Sequence, residues 1–241
     1  MTVGREETGF VETVSNRLAD VRARITGAGG DPDRITVVAV AKGLGTDAVR
    51  AAAHAGLVDI GENYAQELER KQAQLSADSA GTADPAGTPP TLRWHFLGHV
   101  QRNKVRRIAP LVHLWQSLDR EEAGAEIARH VPGASVLVQV NISGEAAKNG
   151  CRVDEAPALV EALAGLGLDV RGLMAVGPNG PPEDARAGFR QVVALADRLG
   201  LPERSIGMTE DLEVAVQEGT TMVRIGRALF GPRPGAADRQ R

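Results

Sequence analysis

Lys42 closes the most continuous apolar run of the chain, Ile-Thr-Val-Val-Ala-Val-Ala over 35–41. An amine placed there has two readings. It can snorkel to solvent, as long charged side chains do at strand ends. It can also stay desolvated, so that burial disfavours the ammonium and leaves a neutral nucleophile able to form an imine with an aldehyde. Near the other end of the chain, Arg224 sits between Val223 and Ile225. An inward arginine needs a partner, either an acid of the same chain or a ring nitrogen or carboxylate of a ligand. Two glycine turns accompany it, Ser205-Ile206-Gly207-Met208-Thr209-Glu210-Asp211 and Val223-Arg224-Ile225-Gly226-Arg227-Ala228-Leu229-Phe230-Gly231. Each leads from an apolar run through a tight turn into a helical stretch. Backbone N–H groups at such a turn bind phosphate, with Gly226 allowing close approach and the Thr209 hydroxyl adding a hydrogen bond. Ordinary turn glycines and helix caps are the alternative.

Other patterns point elsewhere. Gly43-Leu44-Gly45-Thr46-Asp47-Ala48 fits the G-x-G-x-x-[G/A] dinucleotide fingerprint, and Glu62 stands where a ribose-binding acid belongs. One such match is weak and leaves the distal glycine turns unexplained. His95 and His99 have a spacing that binds zinc on a helix, but they straddle a strand end and no third ligand is evident. No metal is expected. Gln101-Arg102-Asn103-Lys104-Val105-Arg106-Arg107 is a local basic cluster, read first as a solvated helix face and second as a small-anion or RNA patch.

An alternation of strands and helices must position these residues. Short β-branched or apolar runs at 35–41, 57–61, 92–97, 113–117, 135–140, 170–175, 205–208 and 222–225 read as strands. Helical stretches follow at 46–55, 65–74, 101–109, 120–129, 154–166, 183–199 and 211–217, with Asp154 as a candidate N-cap. Phe10, Val14, Leu18, Val21 and Ile25 repeat at helical spacing and form an extra N-terminal helix within 1–34. The segment 76–91 lacks large apolar residues and reads as a flexible loop. The fold class is therefore α/β. A single-domain (β/α)₈ TIM barrel over 35–231 is expected, with a C-terminal tail at 232–241. An open doubly wound sheet is the rival. In either, ligands bind at the carboxyl ends of the strands.

Composition narrows the partners. The chain has 241 residues, 42% hydrophobic and 24% charged, with 28 basic and 31 acidic residues for a net charge of −3. That balance argues against nucleic acid. No run approaches the roughly 20 apolar residues of a membrane span, no signal-peptide pattern opens the chain, and a lone Cys151 precludes an internal disulfide. A cytoplasmic protein, monomeric or weakly dimeric, is expected.

Taken together, the motifs resemble the pyridoxal-phosphate homeostasis proteins, single-domain relatives of the barrel half of alanine racemase. The resemblance runs from about Ile35 to Phe230. It rests on Val40-Ala41-Lys42, Gly61-Glu62-Asn63-Tyr64, Trp94-His95-Phe96-Leu97-Gly98 with Gln101 and Asn103-Lys104, Gln139-Val140-Asn141-Ile142-Ser143, Gly172-Leu173-Met174-Ala175, Gly207-Met208-Thr209 with Asp211, and Met222-Val223-Arg224-Ile225-Gly226. It implies that Lys42 holds pyridoxal 5′-phosphate as an internal aldimine. It also implies that Arg224 faces the pyridine nitrogen and that Asn63 lies near the ring. Ser205, Met208 and Thr209, with the backbone of Gly226 and Arg227, are implied to hold the phosphate. The implied role is a carrier or buffer of the cofactor, not an enzyme, with cofactor-dependent apoenzymes as possible recipients. A weak racemase is the alternative, and a dinucleotide-dependent oxidoreductase is a more distant one. The sequence departs from the family pattern in several places: Ala41 precedes the lysine where Ser is common, and Thr209 replaces a usual serine. Gly43-Leu44-Gly45 follows the lysine where Thr-Lys-Pro is common, and Arg227 stands where a small hydroxyl residue is common.

Overall fold

The computed structural model describes residues 3–81, 91–144 and 149–232. Its centre is a closed, all-parallel barrel in which every strand neighbours the next in sequence and β8 returns to β1. The strands are β1 (Thr36–Val40), β2 (Asp59–Glu62), β3 (Arg93–Phe96), β4 (Val112–Leu118), β5 (Ser135–Val140), β6 (Asp169–Ala175), β7 (Glu203–Ser205) and β8 (Met222–Ile225). Closure pairs Val38 with Arg224 and Ala39 with Ile225. The open-sheet alternative is thereby removed.

The sequence of β1 explains its placement. Val37 and Ala39 join the large core between barrel and helices, while Val38 joins a smaller interior cluster with Leu114, Leu137, Met174 and Met222. Both faces are apolar because both are covered, as parallel strands require. Around the barrel lie α2 (Thr46–His54), α3 (Ala65–Gly81), α4 (Arg102–Ile108), α5 (Glu121–His130), α6 (Ala156–Gly165), α7 (Arg186–Arg198), α8 (Leu212–Gln217) and α9 (Arg227–Phe230). The first helix, α1 (Val3–Gly27), packs against α2, α8 and α9 through Val14, Leu18, Val21 and Ile25. Its polar face also contributes. Arg24 Nε donates to Glu213 at 2.6 Å, and its Nη2 donates to the Thr209 carbonyl at 2.8 Å. The extra helix thus braces the turn after β7.

Several sequence expectations need correction. Residues 76–81 are the last turns of α3 and not loop, because alanine and serine carry little helix penalty even without large apolar neighbours. Residues 82–90 of that expected loop, and 233–241 of the expected tail, lie outside the described residues. Asp154 does not cap α6. It is held by Arg152 at 2.9 Å, and Glu155 takes the N-cap position. The expected helix 183–199 opens as a 3-10 turn, Pro182–Ala185, before α7 begins. β7 ends at Ser205, because Gly207 takes φ +93°, outside the extended range.

Candidate functional site

A cavity of about 200 Å³ opens at the carboxyl ends of the strands. Lys42, Asn63, Met208, Thr209, Arg224, Gly226 and Arg227 all line it. Seven positions from β1, β2, β7 and β8 and the turns after them thus converge, although they are spread over most of the chain. Leu44, Leu97, Met174, Val176 and Phe230 supply apolar walls. None of these was named as a site residue from sequence, because an apolar side chain near a strand end looks like any other core residue.

Ser205 is placed differently. It is fully buried and does not line the cavity. Its hydroxyl donates to Gln116 Oε1 at 2.7 Å and accepts from Arg224 Nη1 at 2.7 Å. It therefore orients the arginine from beneath.

Arg224 is 5% exposed, and burial pulls its guanidinium down to about 10. It remains protonated at neutral pH. Nη1 also donates to the Ser205 carbonyl at 2.6 Å, and Nη2 to the Ala175 carbonyl at 2.8 Å. Among the described residues no carboxylate pairs with it, so the internal ion pair considered from sequence is not formed. Asn63 Oδ1, also buried, has no hydrogen-bond partner among the described residues. A desolvated cation and an orphaned acceptor together fit a ligand carrying both acceptor and donor groups.

Below Arg224 a buried polar chain runs down the barrel interior. From Ser205 it passes to Gln116, whose Nε2 donates to His95 Nδ1 at 2.7 Å. His95 Nε2 then donates to Asp59 Oδ1 at 2.8 Å, and Asp59 is clamped by Arg93 at the amino-terminal rim. This network fixes the histidine tautomer and the Gln116 amide, and all donors point from Arg224 towards Asp59. His99 instead meets Arg120 at 3.2 Å, so the two histidines do not share a site.

Lys42 lies in a turn closed by the Leu44 N–H on the Ala41 carbonyl at 3.0 Å, with Gly43 at φ +73°. The glycine that departs from the family pattern thus supplies a left-handed turn position. Glu62, the acid of the dinucleotide fingerprint, is wholly buried and ion-paired with Lys71. Burial pushes its carboxyl up to about 7, against the opposing pull of Lys71. It offers nothing to a ribose. Arg227 reaches across the mouth to Glu210 at 2.5 Å, and both side chains are exposed. Asn141 and Ser143 bond each other within a local turn and lie outside the cavity lining. Cys151 is buried and pushed up to about 12, which leaves an inert thiol.

Gly98 sets the height of Asn63. A Cβ there would lie 1.9 Å from the Asn63 carbonyl oxygen, a backbone atom that cannot step aside. Gly98→Ala is expected to lower stability by about 2 kcal/mol or more, read as a drop in urea midpoint. An unchanged midpoint would show that the β2 and β3 ends can separate freely.

The family profile described as alanine racemase, N-terminal domain, matches residues 13–234. A pyridoxal phosphate homeostasis protein of Pseudomonas aeruginosa is 42% identical over 236 residues, covering 92% of this chain and 97% of the relative. The chain belongs to the pyridoxal phosphate homeostasis protein family. Among solved structures, PipY of Synechococcus elongatus with PLP bound is 29% identical, has a TM-score of 0.75, and is covered over its whole length by 90% of this chain. Alanine racemase from Bacillus anthracis is 16% identical with a TM-score of 0.66 and is covered over only 58% of its length, so it shares the fold alone. Among the described residues no helix is long and apolar enough to cross a membrane.

Proposed function

We propose that this chain binds pyridoxal 5′-phosphate covalently through Lys42 and buffers or delivers it in the cytoplasm, with little or no turnover of its own. The observation that carries the reading is Arg224, a buried cation with no carboxylate in direct contact among the described residues, in the cavity that Lys42 also lines. When bound, the cofactor supplies an aldehyde that condenses with a neutral primary amine, the two amine hydrogens leaving with the aldehyde oxygen as water.

The chain's own residues would act as follows. Lys42 presents the amine. Arg224, held in place by the Ser205 and Ala175 carbonyls, would donate a hydrogen bond to the ring nitrogen. Thr209, the backbone of Gly226 and Arg227, and the Arg227 guanidinium, all lining the cavity with Met208, would hold the phosphate. Asn63 offers an acceptor to the ring substituents. Because Arg224 stays protonated, it donates without giving up its proton, and a ring nitrogen without a proton withdraws electrons poorly. Carbanion chemistry on a bound amino acid is disfavoured, which supports a carrier over a racemase. Cofactor-dependent apoenzymes are the inferred recipients.

The test is a visible spectrum with added pyridoxal 5′-phosphate, then borohydride reduction and peptide mapping. A new band and a reduced adduct on Lys42 are expected. A colourless protein, or an adduct on Lys71, Lys104 or Lys148, would overturn the reading. Rapid α-proton exchange on amino acids would overturn the carrier role alone.

Glu210 gives a subtler check. By holding Arg227, it competes with a phosphate for the guanidinium. Glu210→Gln should tighten cofactor binding roughly two- to fivefold, since exposed ion pairs contribute about 0–1 kcal/mol. Equal affinities in an absorbance titration would remove the Arg227 side chain from the phosphate site.

A further inference from the structure

The ion pair of Lys71 and Glu62 has no part in the reading above, yet both side chains are 0% exposed. A buried ion pair must overcome a large desolvation cost and is weak evidence of stability by itself. Its connections are more informative. Lys71 Nζ also donates to the Ala41 carbonyl at 2.7 Å and lies 3.3 Å from Glu67 Oε2. That same Glu67 oxygen accepts the Gly43 N–H at 2.8 Å. The peptide group before Lys42 and the peptide group after it are thus fastened to a single ammonium–carboxylate cluster on α3. Glu62 Oε2 reaches the Asn63 N–H at 3.3 Å, so the cluster also touches the backbone of a second cavity residue.

Lysine has four rotatable side-chain bonds, and a turn at a strand end is an unreliable platform for them. Fixing the peptides on both sides fixes the Cα–Cβ direction from which the amine departs. Charge-assisted bonds in a dry setting are stiff enough for that task. The geometry points to Lys71, acting with Glu62 and Glu67, as a positioning residue that aims Lys42 into the cavity. This inference rests on the role given to Lys42 under Proposed function.

The test separates aiming from folding. Wild type, Lys71→Met and Glu67→Gln are compared in two measurements. The first is the rate of covalent bond formation with pyridoxal 5′-phosphate. The second is the affinity for 4-deoxypyridoxine 5′-phosphate, which keeps ring and phosphate but has no aldehyde. Lys71→Met should slow bond formation roughly tenfold or more, because small displacements of a reacting group are costly. Its affinity for the aldehyde-free analogue should change less than about twofold. Lys71→Arg, which retains the charge and the donors, should recover part of the rate. If Lys71→Met does not fold, Glu67→Gln carries the test, because the Glu67 side chain is 26% exposed and its loss is tolerable. A slower rate with unchanged analogue affinity is expected there too. Unchanged rates, or equal losses in both measurements, would overturn the inference. If wild type itself forms no bond with the aldehyde, the Lys42 reading fails first, and the two failures are thereby told apart.

Discussion

Lys42→Ala should fold normally yet take up no pyridoxal 5′-phosphate that borohydride can fix. The side chain lines a cavity and is not part of either hydrophobic cluster, so its removal should shift stability by less than about 0.5 kcal/mol. The binding loss should be large. Without the covalent bond, only contacts to ring and phosphate remain, and apparent affinity should fall by about 100-fold or more, equivalent to about 2.8 kcal/mol. No other described lysine is placed to substitute. Lys71 is buried and held by two carboxylates and a carbonyl, while Lys104 lies on α4, away from the cavity lining. Absorbance titration and intact-mass measurement after reduction give the answer. An undiminished reduced adduct on the variant would place the reactive amine elsewhere.

A second large effect is expected at Gln116, the centre of the polar chain inside the barrel. Gln116→Leu is close in volume but removes three bonds at once, one of them from Gln116 Nε2 to Met222 Sδ at 3.0 Å. The Ser205 hydroxyl and His95 Nδ1 lose their partners, and both residues are buried. At about 1–3 kcal/mol for each buried group left unsatisfied, the net cost should be about 3 kcal/mol after allowing for the added apolar burial. Adding Ser205→Ala should return part of that loss, since the orphaned hydroxyl is then gone. A Gln116→Leu protein as stable as wild type would mean that the chain is not a continuous network. The same chain predicts acid sensitivity. Burial pushes the Asp59 carboxylate up, but the hydrogen bonds from His95 and Arg93 outweigh it and hold it below its ordinary 3.8. The stability it contributes is complete above about pH 3.8 and is lost as pH falls through the lower folded value. Asp59→Asn should flatten the acid limb of a stability–pH profile.

The polar chain and the Lys71 cluster explain which residues could be read in advance. Lys42, Arg224 and the two glycine turns announce themselves because each breaks a local pattern at the end of an apolar run. Lys71 does not. It sits at helical spacing from Leu68 and Leu75, on the face that packs inward, and four residues after Glu67 it looks like half of an ordinary surface pair. A lysine in the apolar register of an amphipathic helix was the available signal. Gln116 was equally obscure, and His95 was weighed from its spacing only as a zinc ligand. His95 lies between Trp94 and Phe96, and Gln116 follows Trp115; period-two alternation says that each faces away from those aromatic neighbours without saying what lies opposite. Ser205 was assigned to the phosphate by the family resemblance. Its position at a strand end was legible, but the inward direction of its hydroxyl was not.

Local order along the chain is enough to establish the strand–helix alternation, the parallel sheet it demands and the amine at the end of the first strand. Backbone propensity, side-chain periodicity and turn chemistry act over a few residues and can be read from neighbours alone. Barrel closure, the burial of Arg224 with no acid in direct contact among the described residues and the choice of Glu62 as the partner of Lys71 depend on groups far apart in sequence. Only when β8 meets β1 does the environment around each charge become defined, and desolvation there decides which groups pair and which remain available to a ligand.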